Sequence, residues 1–147
     1  MKLSTRGQYG TRLLLDLALH WGENPVLLKD IAQRQQISLG YLAHLITPLI
    51  AGGVVRTTRG ARGGVSLARP PREIRLSEVI ELLEGSTAPV ECLDNPEVCT
   101  RSRLCVTRDV WSELKQAIDG VLESTTLQEL VNKQKEKEYS RLEMYYI

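Results

Sequence analysis

The stretch from Leu27 to Ala68 constrains the fold more than any other part of the chain. Residues 27–34, LLKDIAQR, place Leu28, Ile31 and Ala32 on one side of a short helix. Gln35-Gln36-Ile37 forms a turn, and Ser38 stands as N-cap of the next helix, which runs through Leu39, Leu42, Leu45, Ile46 and Leu49 to Gly52-Gly53. Two short helices joined by a tight turn, the second opening on Ser, have the outline of a helix-turn-helix. The β-prone runs 54–58 and 65–68 follow, on either side of Arg59-Gly60-Ala61-Arg62-Gly63-Gly64, and predict a hairpin.

In a helix-turn-helix the second helix enters the major groove of DNA and its first turns meet base edges. A hairpin placed directly after it reads as a wing. Glycine lets backbone approach a duplex closely, and Arg59 and Arg62 suit phosphates or a narrow minor groove. An ordinary surface hairpin is the other reading; a tip with two arginines and no acid favours the wing.

Charge divides along the chain in the same sense. Residues 1–75 carry 11 Lys/Arg against 4 Asp/Glu, a net of +7; residues 76–147 carry 8 against 14, a net of −6. A basic half suits a polyanion, here double-stranded DNA, and the acidic half does something else. No apolar run approaches a membrane span and the N-terminus lacks a signal-peptide pattern, so the expected location is the cytoplasm, with no membrane partner.

Outside the motif, a first helix is predicted over 9–21, with Leu13, Leu14, Leu17, Ala18 and Trp21 at helical spacing. Ser77 is the expected cap of a fourth helix, 77–84, with Gly85 past its end. A long helix over 108–122 carries Trp111, Leu114, Ile118 and Val121 at spacings of three and four. The acidic half has few other apolar segments to cover that stripe, so it reads as a dimer seam rather than core. Thr126-Leu127-Gln128-Glu129 is a capping box for a last short helix, and Pro48 is expected to bend the third helix beyond its DNA-reading end. The predicted fold class is mainly α: a winged helix-turn-helix lobe with a small hairpin wing, plus a long dimerisation helix. The segments are 1–75, the DNA-binding domain; 76–106, a linker helix and cysteine loop; 107–132, the dimerisation and closing helices; and 133–147, a charged tail.

All three cysteines lie within 14 aperiodic positions, as Cys92-LDNPEV-Cys99-TRSRL-Cys105. The spacing is neither that of a zinc ribbon nor that of a ferredoxin. In a reducing compartment, clustered thiolates suit a soft metal or an iron–sulfur cluster, and Arg101, Arg103 and Arg108 would offset its negative charge. A regulatory disulfide, or zinc with a fourth ligand, are the alternatives.

Taken together, MKLSTRGQYG, DIAQRQQISLGYL, RTTRGARGG, SEVI, the three cysteines, CVTRDVW and TLQELVNKQ make the chain resemble the IscR-type iron–sulfur cluster transcription regulators of the Rrf2 superfamily, from Met1 to about Gln134. The resemblance implies a homodimer, a near-palindromic operator, and a cluster on Cys92, Cys99 and Cys105, [2Fe–2S] rather than [4Fe–4S]. It implies control of iron–sulfur assembly or of iron and redox stress genes, and no enzymatic activity. By matching position, Ser38, Leu39, Tyr41 and His44 fall in the recognition helix and Arg59 at the wing. Three positions depart from the family pattern. Arg108 stands where such sequences usually have a ligating His, Gln8 where some relatives place an acidic residue, and Ala43 where the recognition helix usually bears Glu. The fourth ligand would then be a weak oxygen donor such as Glu91, Asp94, Glu97 or Asp109, or come from a partner. The alternatives are a cluster-free or thiol-sensing winged-helix regulator acting through a protein partner, and an iron–sulfur electron carrier. For the carrier no second cofactor motif or nucleophile–base pair is present, and His20 and His44 are the only histidines.

Overall fold

The fold is described for residues 1–146 in a computed structural model; Ile147, the end of the tail segment, lies outside the described residues. Helix α1 (Thr5–Leu19) is opened by Ser4, whose hydroxyl accepts from the Gly7 N–H. It starts four residues earlier than the apolar spacing indicates. The Glu84 carboxylate, from the far end of another helix, accepts from the Ser4 and Gly7 N–H groups at 3.1 Å each. A negative charge at a helix N-terminus satisfies free N–H groups and complements the dipole. Trp21 lies beyond the helix and is exposed.

Helix α2 (Leu28–Gln35) ends at Gln36, whose left-handed backbone (φ 55°, ψ 45°) turns the chain into α3 (Leu39–Ala51). Helix α3 passes through Pro48 without interruption. Strands β1 (Val55–Thr58) and β2 (Gly64–Leu67) pair antiparallel, Val55 opposite Leu67 and Thr58 opposite Gly64. Val26 bridges to Val65 through two N–H···O bonds of 2.8 Å, so strand β2 is fixed to the α1–α2 connection.

Helix α4 (Leu76–Glu84) starts at Leu76, with Arg75 in the cap position and no side-chain cap, not with Ser77 as cap. The reason is tertiary: the Leu76 N–H donates to the Thr125 carbonyl and the Leu127 N–H to the Ile74 carbonyl, both at 2.9 Å. Helix α5 (Val106–Ser124) follows the cysteine loop. Helix α6 (Leu127–Tyr146) is opened by Thr126, whose hydroxyl accepts from the Glu129 N–H at 3.3 Å, and it is 20 residues long rather than short. Among the described residues no helix is long and apolar enough to cross a membrane.

One buried cluster joins α1–α3 and the hairpin with Ile74, Val79, Leu83, Leu127 and Val131. The core under the helix-turn-helix therefore draws on α4 and the first turns of α6. Helix α5 adds no buried residue to it. The chain exposes 10036 Å². A compact monomer of 16.5 kDa exposes about 7,500 Å². Part of the excess is the α5 stripe, where Val121 is 64% exposed and Trp111 38%.

Among the described residues Asp16 is the one carboxylate in the core, 2% exposed. It takes two hydrogen bonds from Arg34, at 2.7 and 3.0 Å, and one from Gln35 at 3.1 Å, all from the last turn of α2. A buried charge is tolerated only when it is paired and hydrogen-bonded. Arg34→Ala strips the pair and is expected to lower stability by about 1–3 kcal/mol, read as an earlier midpoint in urea unfolding.

Candidate functional site

The sequence of α3 divides cleanly by face. Leu42, Leu45, Ile46 and Leu49 are buried, while Ser38, Leu39, Gly40, Ala43, His44 and Thr47 are exposed. Ser38 accepts from the Tyr41 N–H at 3.2 Å, so the helix begins on a fixed cap. Of the recognition-helix candidates, Ser38, Leu39 and His44 share the outer face. Tyr41 does not: it is half-buried, its ring edge-on to Tyr9 with centroids 5.8 Å apart. Arg12 stacks over Tyr9 at 5.3 Å. Gly40 and Thr47 join the face unflagged by motif, though the spacing of four from Ala43 and His44 would have found them.

Arg59 and Arg62 are exposed at the hairpin tip. Arg56, also exposed, stands on β1 and donates to the Ser66 hydroxyl at 3.3 Å. At Gly64 any Cβ would fall 2.5 Å from the Val26 carbonyl oxygen, so the start of β2, next to the wing tip, requires glycine. Between Asp30 and Glu73 the sequence has six arginines and no carboxylate. The second helix of the motif and the wing thus lie in a stretch of sequence without carboxylates, while Glu23 and Asp30 from the preceding segment line one depression together with Arg62.

The cysteine loop folds as two single turns, Glu91–Leu93 and Pro96–Val98. Buried Ser102 ties it together, its hydroxyl 2.8 Å from the Pro96 carbonyl and 2.9 Å from that of Cys99. All three cysteines are free thiols: Cys92 and Cys105 half-buried, Cys99 exposed. Cys105 caps α5, with its Sγ 3.1 Å from the Thr107 hydroxyl. Hydrogen bonds from that hydroxyl and from the Arg108 N–H hold the thiol below its ordinary pKa. The Arg108 guanidinium donates to the Cys92 carbonyl at 3.2 and 3.3 Å, which fastens the start of the loop to α5.

The donor set suits a soft metal or an iron–sulfur group: three unpaired thiols on one segment, beside Arg101, Arg103 and Arg108. Among the described residues, no three His, Cys, Asp or Glu side chains are gathered as one ligand group. Glu91, Asp94, Glu97 and Asp109 are exposed, and the Gln8 amide donates to the Leu3 carbonyl at 2.8 Å.

A helix-turn-helix followed by a two-stranded wing defines a winged-helix DNA-binding protein. Residues 3–133 match the Rrf2 family, described as iron-dependent transcriptional regulators, and the chain belongs to that family. It is 46% identical over 131 residues to protein rrf2 of Nitratidesulfovibrio vulgaris, covering 89% of this chain and 87% of that one. It is 40% identical over 134 residues to the transcriptional regulator IscR of Serratia proteamaculans, covering 91% and 81%. Among solved structures it superposes on CymR, the global cysteine regulator of B. subtilis, with a TM-score of 0.77 and 38% identity, covering 90% of this chain and 98% of CymR. T. potens IscR superposes with a TM-score of 0.78 and 41% identity, covering 93% and 90%. These relatives are named as transcriptional regulators, and the chain is a transcription regulator, not an enzyme.

The hydrogen bonds at Cys105 have a testable consequence. In metal-free protein, alkylation of Cys105 by iodoacetamide is expected to have a pH midpoint below that of an ordinary cysteine. Thr107→Val is expected to raise the Cys105 midpoint, as followed by peptide mass spectrometry across a pH series.

Proposed function

We propose that the chain works as a homodimer in the cytoplasm and binds a near-palindromic operator, with its occupancy controlled through Cys92, Cys99 and Cys105. The observation that carries the DNA reading is that Ser38, Leu39 and His44 are exposed on α3 and Arg59 and Arg62 on the wing, within a stretch of sequence that has no carboxylate. Tyr41 supports this surface from behind, through its contact with Tyr9. The α5 stripe, with Trp111 and Val121 exposed and Leu114 and Ile118 half-buried, supports the dimer.

For the loop, the free thiols and the likeness to IscR support an iron–sulfur cluster, [2Fe–2S] rather than [4Fe–4S], held by the three cysteines. When bound, such a group supplies sensitivity to iron supply and redox state. The protein's part is to present Cys105 at the head of α5 and Cys92 through its tie to Arg108. Iron–sulfur assembly and iron or redox stress genes are the expected targets. The exposure of Cys99 and the likeness to CymR support a second reading, a cluster-free thiol sensor.

Protein purified without oxygen separates the two. The expected result is a coloured dimer, with iron and sulfide in equal amounts, in which Cys92→Ala, Cys99→Ala and Cys105→Ala each lose the colour. A colourless wild-type protein that still binds DNA overturns the cluster reading in favour of the thiol sensor.

Arg59→Ala is expected to weaken operator binding by about 1–3 kcal/mol. Titrations over a range of salt concentrations check this, and an unchanged affinity and salt slope would remove the wing from the interface.

A further inference from the structure

Resting on the DNA-binding reading above, we propose that the outer face of α3 reads its half-site through the 5-methyl groups of thymine, with Leu39, Ala43 and Thr47 setting specificity. Helix α3, LGYLAHLITPLIA, contains no Arg, Lys, Asn, Gln, Asp or Glu. The bidentate contacts that select guanine or adenine, and the carboxylate contact that selects cytosine, therefore cannot come from this helix. The nearest amide, Gln36, lies in the turn outside it.

What the face does offer is apolar. Leu39 presents a large aliphatic side chain that is 49% exposed. Ala43 presents a methyl group one turn on. The Thr47 hydroxyl donates back to the Ala43 carbonyl at 3.5 Å, which leaves its methyl free. Leu39, Ala43 and Thr47 follow one another at steps of four, a span of roughly 12 Å along the helix. Stacked base pairs repeat every 3.4 Å or so, so the row reaches across roughly three to four of them. Apolar contact of this kind distinguishes thymine by its methyl group, a mark no other base displays in the major groove. His44 and the Ser38 hydroxyl remain for one or two polar base contacts at the edge of the row.

The wing points the same way. Arg59 and Arg62 on a glycine-rich tip suit a narrow minor groove, which A·T-rich sequence provides. Both reading elements thus favour A·T-rich half-sites, one through methyl groups and the other through groove width.

The test uses the full chain purified without oxygen and a pool of random-sequence duplexes. Selected half-sites are expected to hold thymine at two or more positions. The winning duplex, remade with deoxyuridine for every thymine, is expected to bind about tenfold more weakly, whereas 7-deazaguanine in place of guanine changes binding less than about twofold. Leu39→Ala, at an exposed position and checked for fold by circular dichroism, supplies the second arm. It should weaken binding of the thymine duplex by a part of that tenfold, about three- to fivefold, and of the deoxyuridine duplex by less than about twofold, because the contact it removes is already gone. Equal binding of the thymine and deoxyuridine duplexes overturns the inference, as does an equal loss on both duplexes in Leu39→Ala. Retention of duplex with no enriched sequence also overturns it while leaving the DNA reading in place; retention of no duplex overturns both.

Discussion

The buried carboxylate of Asp16 is the interaction on which the rest of the DNA-binding lobe depends. It sits on the central helix, α1, and holds Arg34 and Gln35 at the end of α2. Arg12, a turn earlier on α1, also donates to the Gln35 carbonyl. With the last turn of α2 fixed in this way, the left-handed Gln36 and the Ser38 cap aim α3 in one direction. An apolar contact would tolerate sliding. A planar guanidinium on a carboxylate does not, because its two hydrogen bonds require one orientation. The pair therefore contributes direction as well as stability, and direction is what a helix that must enter a groove requires.

Much of this lobe could be read from the sequence because its signals are local. The spacing of Leu42, Leu45, Ile46 and Leu49, the Ser38 cap and the glycines around Arg59 and Arg62 each act within a few residues. What could not be read depends on partners distant in sequence. The start of α1 rests on Glu84, some 80 positions away. The start of α4 rests on a backbone bond to Thr125, which replaces a Ser77 cap. The orientation of Tyr41 follows from Tyr9 on another helix, so a position in the recognition helix did not reveal its face. The length of α6 was missed because its charged tail has no apolar period to count.

The cysteine loop follows the same division. The thiols and their spacing are plain in the sequence, and so is the absence of a histidine after Cys105. The structure adds that Arg108 is already engaged with the Cys92 carbonyl. Helix α5 is also tied beyond that point. Asp119 accepts from Thr87 at 2.5 Å and from Lys115 at 2.6 Å, and Arg75 donates to the Glu123 carbonyl at 3.0 Å. The Thr87 and Arg75 bonds tie α5 to the chain on either side of α4, α5 also packs against α4, and on its outer side Trp111 and Val121 stay exposed.

The backbone bridge between Arg75 and Thr126 has a wider consequence. It brings together two points of the chain 51 positions apart, before α4 and after α5. Between them the chain passes through α4, which enters the core, and then through the cysteine loop and α5, which add no buried residue to the apolar core, before it returns to the same place. The cost of closing a loop grows only slowly with its length once its ends are held. Residues 86–124 therefore form an excursion with pinned ends, and its length bears little on the orientation of α3, which is set by α1 and α2.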